Sequence, residues 1–167
     1  MALLPKNRRD NRMEGEPMNN SLLLVEDEES VAESVKAILD DWHIDWVPDG
    51  EAGLAYWMAN IYSLVIVDLM LPGEIQGLKL INLMQQRVPQ LAEFMIITGY
   101  PAADSLREAL SMQVADYIIK PFSVVHLRHG VEMAKIRIQL REGQRGLAEV
   151  KKEIIVLEGR LNHLEKR

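Results

Sequence analysis

Short apolar runs alternate along the chain with stretches in which apolar residues recur every three or four positions. Leu22–Val25, Leu64–Val67 and Phe94–Ile97 are runs without a polar interruption, and this length and β-branched content predict strands buried on both faces, as at the centre of a parallel sheet. His43–Val47 and Ala115–Ile119 read as two further strands. Between them, Val31, Val35, Ile38 and Leu39 keep helical spacing, with Ser30 expected to cap the helix and Glu33 to complete a capping box. Asp49 is expected to cap a second helix through about Ala59. Leu78, Leu80, Ile81, Leu83 and Met84 form a third, ending before Pro89, and a fourth runs from about Ala102 to Met112. Ser123 caps the last. The order βαβαβαβαβα predicts an α/β fold: a doubly wound, five-stranded parallel sheet with right-handed crossovers.

In such a sheet all the carboxyl ends of the strands share one edge, where ligands of open α/β folds bind. The first strand delivers Glu26 and Asp27 there, the third Asp68, the fourth Thr98 and the fifth Lys120. No glycine-rich phosphate loop follows the first strand, which removes a mononucleotide-binding reading. Three carboxylates brought together repel unless a cation joins them. Oxygen-only ligands favour a hard ion, Mg²⁺ first, with Lys120 as countercharge and donor to anionic oxygens.

Composition narrows the class. The 167 residues are 48% hydrophobic and 26% charged, enough for a globular domain and something extra. A net charge of −6 argues against a nucleic-acid surface, the chain has no cysteine, and no apolar run reaches membrane-spanning length. Cytoplasmic location is the default expectation. Residues 1–20, with Lys6, Arg8, Arg9 and Arg12 among Asn, Pro and Gly, read as a disordered leader.

Residues 21 to about 139 resemble the receiver domain of two-component response regulators. The matching motifs are Glu26 and Asp27 in LLLVEDEE, Asp68 in LVIVDLMLPG, Thr98 in MIITGYP, and Tyr117 and Lys120 in DYIIKPF. The resemblance implies a flavodoxin-like receiver fold of strand order 2-1-3-4-5 and a cis peptide before Pro121. It implies that Asp68 accepts a phosphoryl group from a histidine kinase or phosphotransfer protein. Asp68, Asp27 and the backbone carbonyl of Met70 would bind Mg²⁺ directly, and Glu26 through a water. Lys120 would pair with Asp68 and then with the phosphoryl oxygens; Thr98 and Tyr117 would form the switch. Met70 and Tyr100, both bulky, stand where the family flanks the path of attacking water, so a long-lived phosphoryl group is expected. The stretch from Asp68 to Gly77 is one residue longer than the usual family spacing, and a bulge beside the metal is expected.

The last third departs from a minimal receiver. With Met133, Leu140, Leu147, Ile154 and Leu161 at heptad position a, position d holds Ile136, Gly143, Val150, Leu157 and Leu164. Nine of these ten are apolar, which predicts a coiled coil and hence a homodimer, with a hinge near 143–146 where Gly143 and Gly146 weaken the helix. Glu132 with Arg137 and Arg160 with Glu165 would attract across a parallel pair, whereas Glu153 and Glu158 would repel. His126 and His129 are too isolated to form a metal site. The expected division is a receiver over 21–132 and a coil over 133–167, continuous with the fifth receiver helix. No motif for an independent enzyme or for direct nucleic-acid reading follows, so output is expected through a partner or a further domain. The other reading is a constitutive coiled-coil scaffold, or pseudoreceiver adaptor, that phosphorylation does not switch.

Overall fold

The computed structural model describes residues 20–87 and 92–164, without the side chains of residues 87, 153, 154 and 157–164. The expected leader lies outside the described residues save for Asn20, as do the side chains of the expected coil positions Ile154, Leu157, Leu161 and Leu164 and the pairs Glu153–Glu158 and Arg160–Glu165.

The apolar runs become strands β1 (Ser21–Val25), β3 (Leu64–Val67) and β4 (Glu93–Thr98), flanked by β2 (His43–Val47) and β5 (Asp116–Ile119). All pairings are parallel, in the order β2-β1-β3-β4-β5. Alternation along the pleat then divides the core. Leu23, Val25, Val65, Val67 and Ile96 pack with α2 (Gly50–Ala59), α3 (Gly77–Arg87) and α4 (Ala103–Ser111). Leu22, Leu24, Ile66, Met95 and Ile97 pack on the other face with α1 (Glu29–Ile38) and the long α5 (Val124–Leu164). Each fully buried Leu, Ile or Val contributes about 1.5–3 kcal/mol, so the three central strands are the stable base on which the site stands.

Capping follows the sequence at two helices and departs from it at one. Asp49 Oδ1 accepts from Ala52 N at 2.7 Å, and Ser123 Oγ accepts from His126 N at 3.1 Å. Ser30 does not cap α1. The helix begins two residues earlier, with Glu28 in the cap position and Val31 N and Ala32 N donating to Glu28 O. The reason is local: Glu28 N is drawn to Glu26 Oε1 at 3.2 Å, so the chain turns immediately after the strand. Ser30 is already helical, and Glu33 pairs with Lys36 at 2.9 Å instead of reaching back.

The 41 residues of α5, about 60 Å at 1.5 Å each, carry two apolar stripes. Leu127, Val131, Ala134 and Ile138 are buried against the sheet, whereas Met133, Ile136, Leu140, Leu147 and Val150 are exposed. The helix is also tied down by charge. Glu93, buried at the start of β4, meets Arg137 Nε at 3.2 Å and Arg141 Nη2 at 2.7 Å. Neither contact has hydrogen-bond geometry, and burial pushes the Glu93 carboxyl above its ordinary range against the lowering effect of Arg141 and Arg137. Arg137 further donates to Gln113 O and Val114 O at 3.0 and 3.3 Å. The side chain expected to reach across a coil to Glu132 is therefore turned to its own domain, and Glu132 pairs with Lys135 at 3.1 Å. The helix runs unbroken through Gly143 and Gly146, where the hinge was expected.

Candidate functional site

Parallel register fixes the site. Val25 stands beside Val67, and Asp68 N donates to Val25 O at 2.9 Å, so Glu26 and Asp68 emerge side by side at the carboxyl edge. On the other side Lys120 N donates to Thr98 O at 2.8 Å, which brings the end of β5 to the end of β4. The peptide between Lys120 and Pro121 is cis.

The side chains converge. Lys120 Nζ lies 2.5 Å from Asp68 Oδ2, 2.8 Å from Glu26 Oε2 and 3.7 Å from Glu28 Oε1. Glu26 and Asp68 are buried, at 1% and 5% exposure, while Asp27 faces solvent. Burial raises the Glu26 carboxyl, more than the hydrogen bond and charge of Lys120 lower it. Burial also disfavours the Lys120 ammonium, but its bonds to Asp68 and Glu26 outweigh that and hold its pKa above the ordinary lysine value. Carboxylate oxygens of Glu26, Asp27 and Asp68 lie within 4.8 Å of one another. This all-oxygen set, reached from solvent beside Asp27, fits a hard divalent cation. Two buried acids facing one ammonium leave negative charge for such an ion to balance.

The loop after β3 turns tightly at Asp68. Met70 N donates to Asp68 Oδ1 at 3.0 Å, which fixes one face of the carboxylate. Gly77 starts α3 against the backbone of Asp68; a Cβ there would lie 2.2 Å from Asp68 O. Between them the loop turns at Gly73, at φ 91°, and is closed by Gln76, whose amide donates to Leu71 O at 2.6 Å and accepts from Leu71 N at 3.2 Å.

The remaining candidates sit around this cluster. Thr98 is fully buried, and its Oγ1 accepts from Tyr100 N at 3.1 Å. The Tyr117 hydroxyl lies away from the acids, 3.0 Å from Ser105 Oγ in the first turn of α4. Met70 and Tyr100 are exposed, at 55% and 74%. Three contributors were not singled out from sequence. Glu28 joins the ion cluster, Trp46 Nε1 donates to Glu26 O at 2.7 Å, and Glu51 accepts from the backbone of the 68–77 loop. Each depends on a partner distant in sequence or on a backbone donor, neither of which leaves a pattern in residue spacing.

A 2-1-3-4-5 sheet with acids and a lysine gathered at its carboxyl edge defines a receiver-type domain. Residues 22–132 match the family model described as the response regulator receiver domain, and the chain belongs to that family. It is 32% identical over 123 residues to the transcriptional regulatory protein DltR of Streptococcus agalactiae, covering 72% of this chain and 52% of that protein. It is 34% identical over 137 residues to the response regulator ArlR of Staphylococcus saprophyticus, covering 80% and 59%. The chain thus spans little more than half the length of these relatives. Among solved structures, a CheY-like receiver domain protein from Methanospirillum hungatei JF-1 superposes with a TM-score of 0.65 at 22% identity, over 77% of this chain and 99% of that one. NtrX from Brucella abortus gives 0.70 at 25%, over 76% and 29%.

Proposed function

We propose that this receiver is a phosphorylation switch: Asp68 accepts a phosphoryl group from the phosphohistidine of a histidine kinase or phosphotransfer protein, and α5 carries the change to a coil joining two copies. The observation that carries the reading is the buried Asp68 carboxylate held between Lys120 Nζ and Met70 N, with Glu26 and Asp27 alongside. An Asp68 oxygen attacks phosphorus, the phosphorus–nitrogen bond breaks, and the histidine leaves as the imidazole. Phosphoryl transfer of this kind asks chiefly for an in-line oxygen and positive charge on the equatorial oxygens. Mg²⁺ held by Glu26, Asp27, Asp68 and the Met70 carbonyl would supply part of that charge when bound. Lys120 supplies the rest by moving from Asp68 to a phosphoryl oxygen. A Thr98 hydroxyl that accepts from Tyr100 N can at the same time donate to the phosphoryl group. Drawing Thr98 inward opens room for Tyr117, whose rotation breaks its bond to Ser105 and frees the first turn of α4.

Pairing of two copies is supported by the exposed stripe Met133, Ile136, Leu140, Leu147 and Val150, which lies on the side of α5 away from its own sheet. Output then passes to a partner or to a domain joined to the coil. Among the described residues no helix is long and apolar enough to cross a membrane, and the reading places the switch in the cytoplasm. Light scattering with Mg²⁺, with and without beryllofluoride as phosphoryl mimic, tests it on wild type and Asp68→Asn. The expected result is a change of assembly that Asp68→Asn abolishes. A fixed dimer that also shows no structural response to beryllofluoride favours the constitutive scaffold, and a monomer throughout removes the coil.

A further inference from the structure

Glu51, in the first turn of α2, touches none of the acids at the site, yet it holds the loop that leaves Asp68. Its Oε1 accepts from Glu74 N at 3.0 Å and from Ile75 N at 3.2 Å. These backbone donors, that of Glu74 foremost, keep the Glu51 carboxyl below the ordinary glutamate range. Two glycines make room for the contact. A Cβ on Gly73, itself at φ 91°, would lie 2.7 Å from Glu51 Oε2, and one on Gly50 would lie 2.1 Å from Ile75 O. The loop is thus tied four times: to Asp68 through Met70 N, to itself through Gln76 and Leu71, to α2 through Glu51, and to α3 through Lys79, whose Nζ donates to Glu74 O at 3.3 Å.

Of these ties, that of Glu51 holds two consecutive backbone amides of the loop, those of Glu74 and Ile75, to a separate element of the packed core. A loop held at one end pays conformational entropy each time a ligand orders it, and an anchor at the far end removes that cost in advance. We propose that Glu51 is a positioning residue of the acidic site, fixing the loop that presents the Met70 carbonyl and thereby setting the affinity of the site for a divalent cation. The proposal rests on the reading that Glu26, Asp27 and Asp68 hold such an ion.

The test is a Mg²⁺ titration of the full chain followed by tryptophan fluorescence, for which Trp46, bonded to the Glu26 carbonyl, stands beside the site. Glu51→Ala is expected to weaken Mg²⁺ binding about tenfold, the low end for a residue supporting a metal site from behind its ligands. Because one oxygen takes both backbone bonds, the amide oxygen of Glu51→Gln can replace it and should hold the affinity within about twofold of wild type. Gly73→Ala, which leaves Glu51 in place but closes its approach, should weaken binding in the same direction as Glu51→Ala. Circular dichroism without Mg²⁺ should show the same folded spectrum for each. Wild-type affinity in Glu51→Ala overturns the role of Glu51, and so does a loss in Glu51→Gln equal to that in Glu51→Ala, which would assign the effect to charge. Absence of saturable binding by the wild type instead overturns the metal reading beneath it.

Discussion

Lys120 faces two carboxylates that are almost wholly removed from water, and this sets what its removal does. Glu26 and Asp68 at 1% and 5% exposure cannot be solvated in place, so Lys120→Met leaves buried charge uncompensated. Breaking such a pair costs about 3–5 kcal/mol, and denaturant unfolding without Mg²⁺ at neutral pH should show a loss of that order. Part of the loss should return with Mg²⁺, since a cation held by the same acids replaces the missing charge. Equal losses with and without Mg²⁺ would mean that the acids do not share an ion. Tyr100 stands at the rim with its ring exposed and its amide bonded to Thr98. Tyr100→Ala should shorten the lifetime of phosphorylated Asp68, measured as loss of label after donor removal, because water then reaches phosphorus more freely. An unchanged lifetime counts against that role.

At the scale of elements, β4 joins two chemistries: Thr98 at its carboxyl end and Glu93 at its start. Glu93 anchors α5 by Arg137 and Arg141, a full turn and more beyond residue 132, where the family match ends. Replacing both arginines by Ala should cost about 3 kcal/mol at neutral pH, the low end for a broken buried pair because both arginines are partly exposed. The sign of the pH dependence follows from the raised pKa of Glu93. A raised carboxyl means that the folded state binds the proton more tightly than the unfolded one. Its contribution to stability is therefore present below the ordinary glutamate value and lost as pH rises through the raised folded value. Without the arginines that loss grows, so the double variant should recover towards wild type as pH falls through the same window. Urea unfolding at several pH values reads this directly, and a pH-independent deficit would contradict it.

Elements also differ in how well the sequence announced them. β1, β3 and β4 were legible because burial on both faces leaves unbroken apolar runs, and the acids at the ends of β1 and β3 and the lysine at the end of β5 followed once parallel pairing was assumed. The start of α1 was not, because Glu26 captures the Glu28 amide and turns the chain before Ser30 can act as a cap. Glu51 and Glu93 were invisible for a related reason. One binds backbone donors across 23 residues, and the other meets arginines of a helix that periodicity described only by its apolar positions.

For the whole molecule, the receiver packs on one side of α5 while the heptad positions Met133, Ile136, Leu140, Leu147 and Val150 are exposed on the other. Leu140 and Leu147, at 62% and 58% exposure, make no contribution to the receiver core. Leu140→Glu with Leu147→Glu should therefore abolish pairing of copies in sedimentation while leaving the unfolding of the receiver within about 0.5 kcal/mol of wild type, as for exposed substitutions in general. A loss of receiver stability would mean that the stripe folds back on its own domain. The most direct measurement of the central claim is the intact mass after incubation with Mg²⁺ and a small-molecule phosphodonor, with peptide mapping of the product. The account predicts one added phosphoryl group, mapped to Asp68 and absent from Asp68→Asn. No added mass on the wild type, or a group that persists in Asp68→Asn, would contradict it.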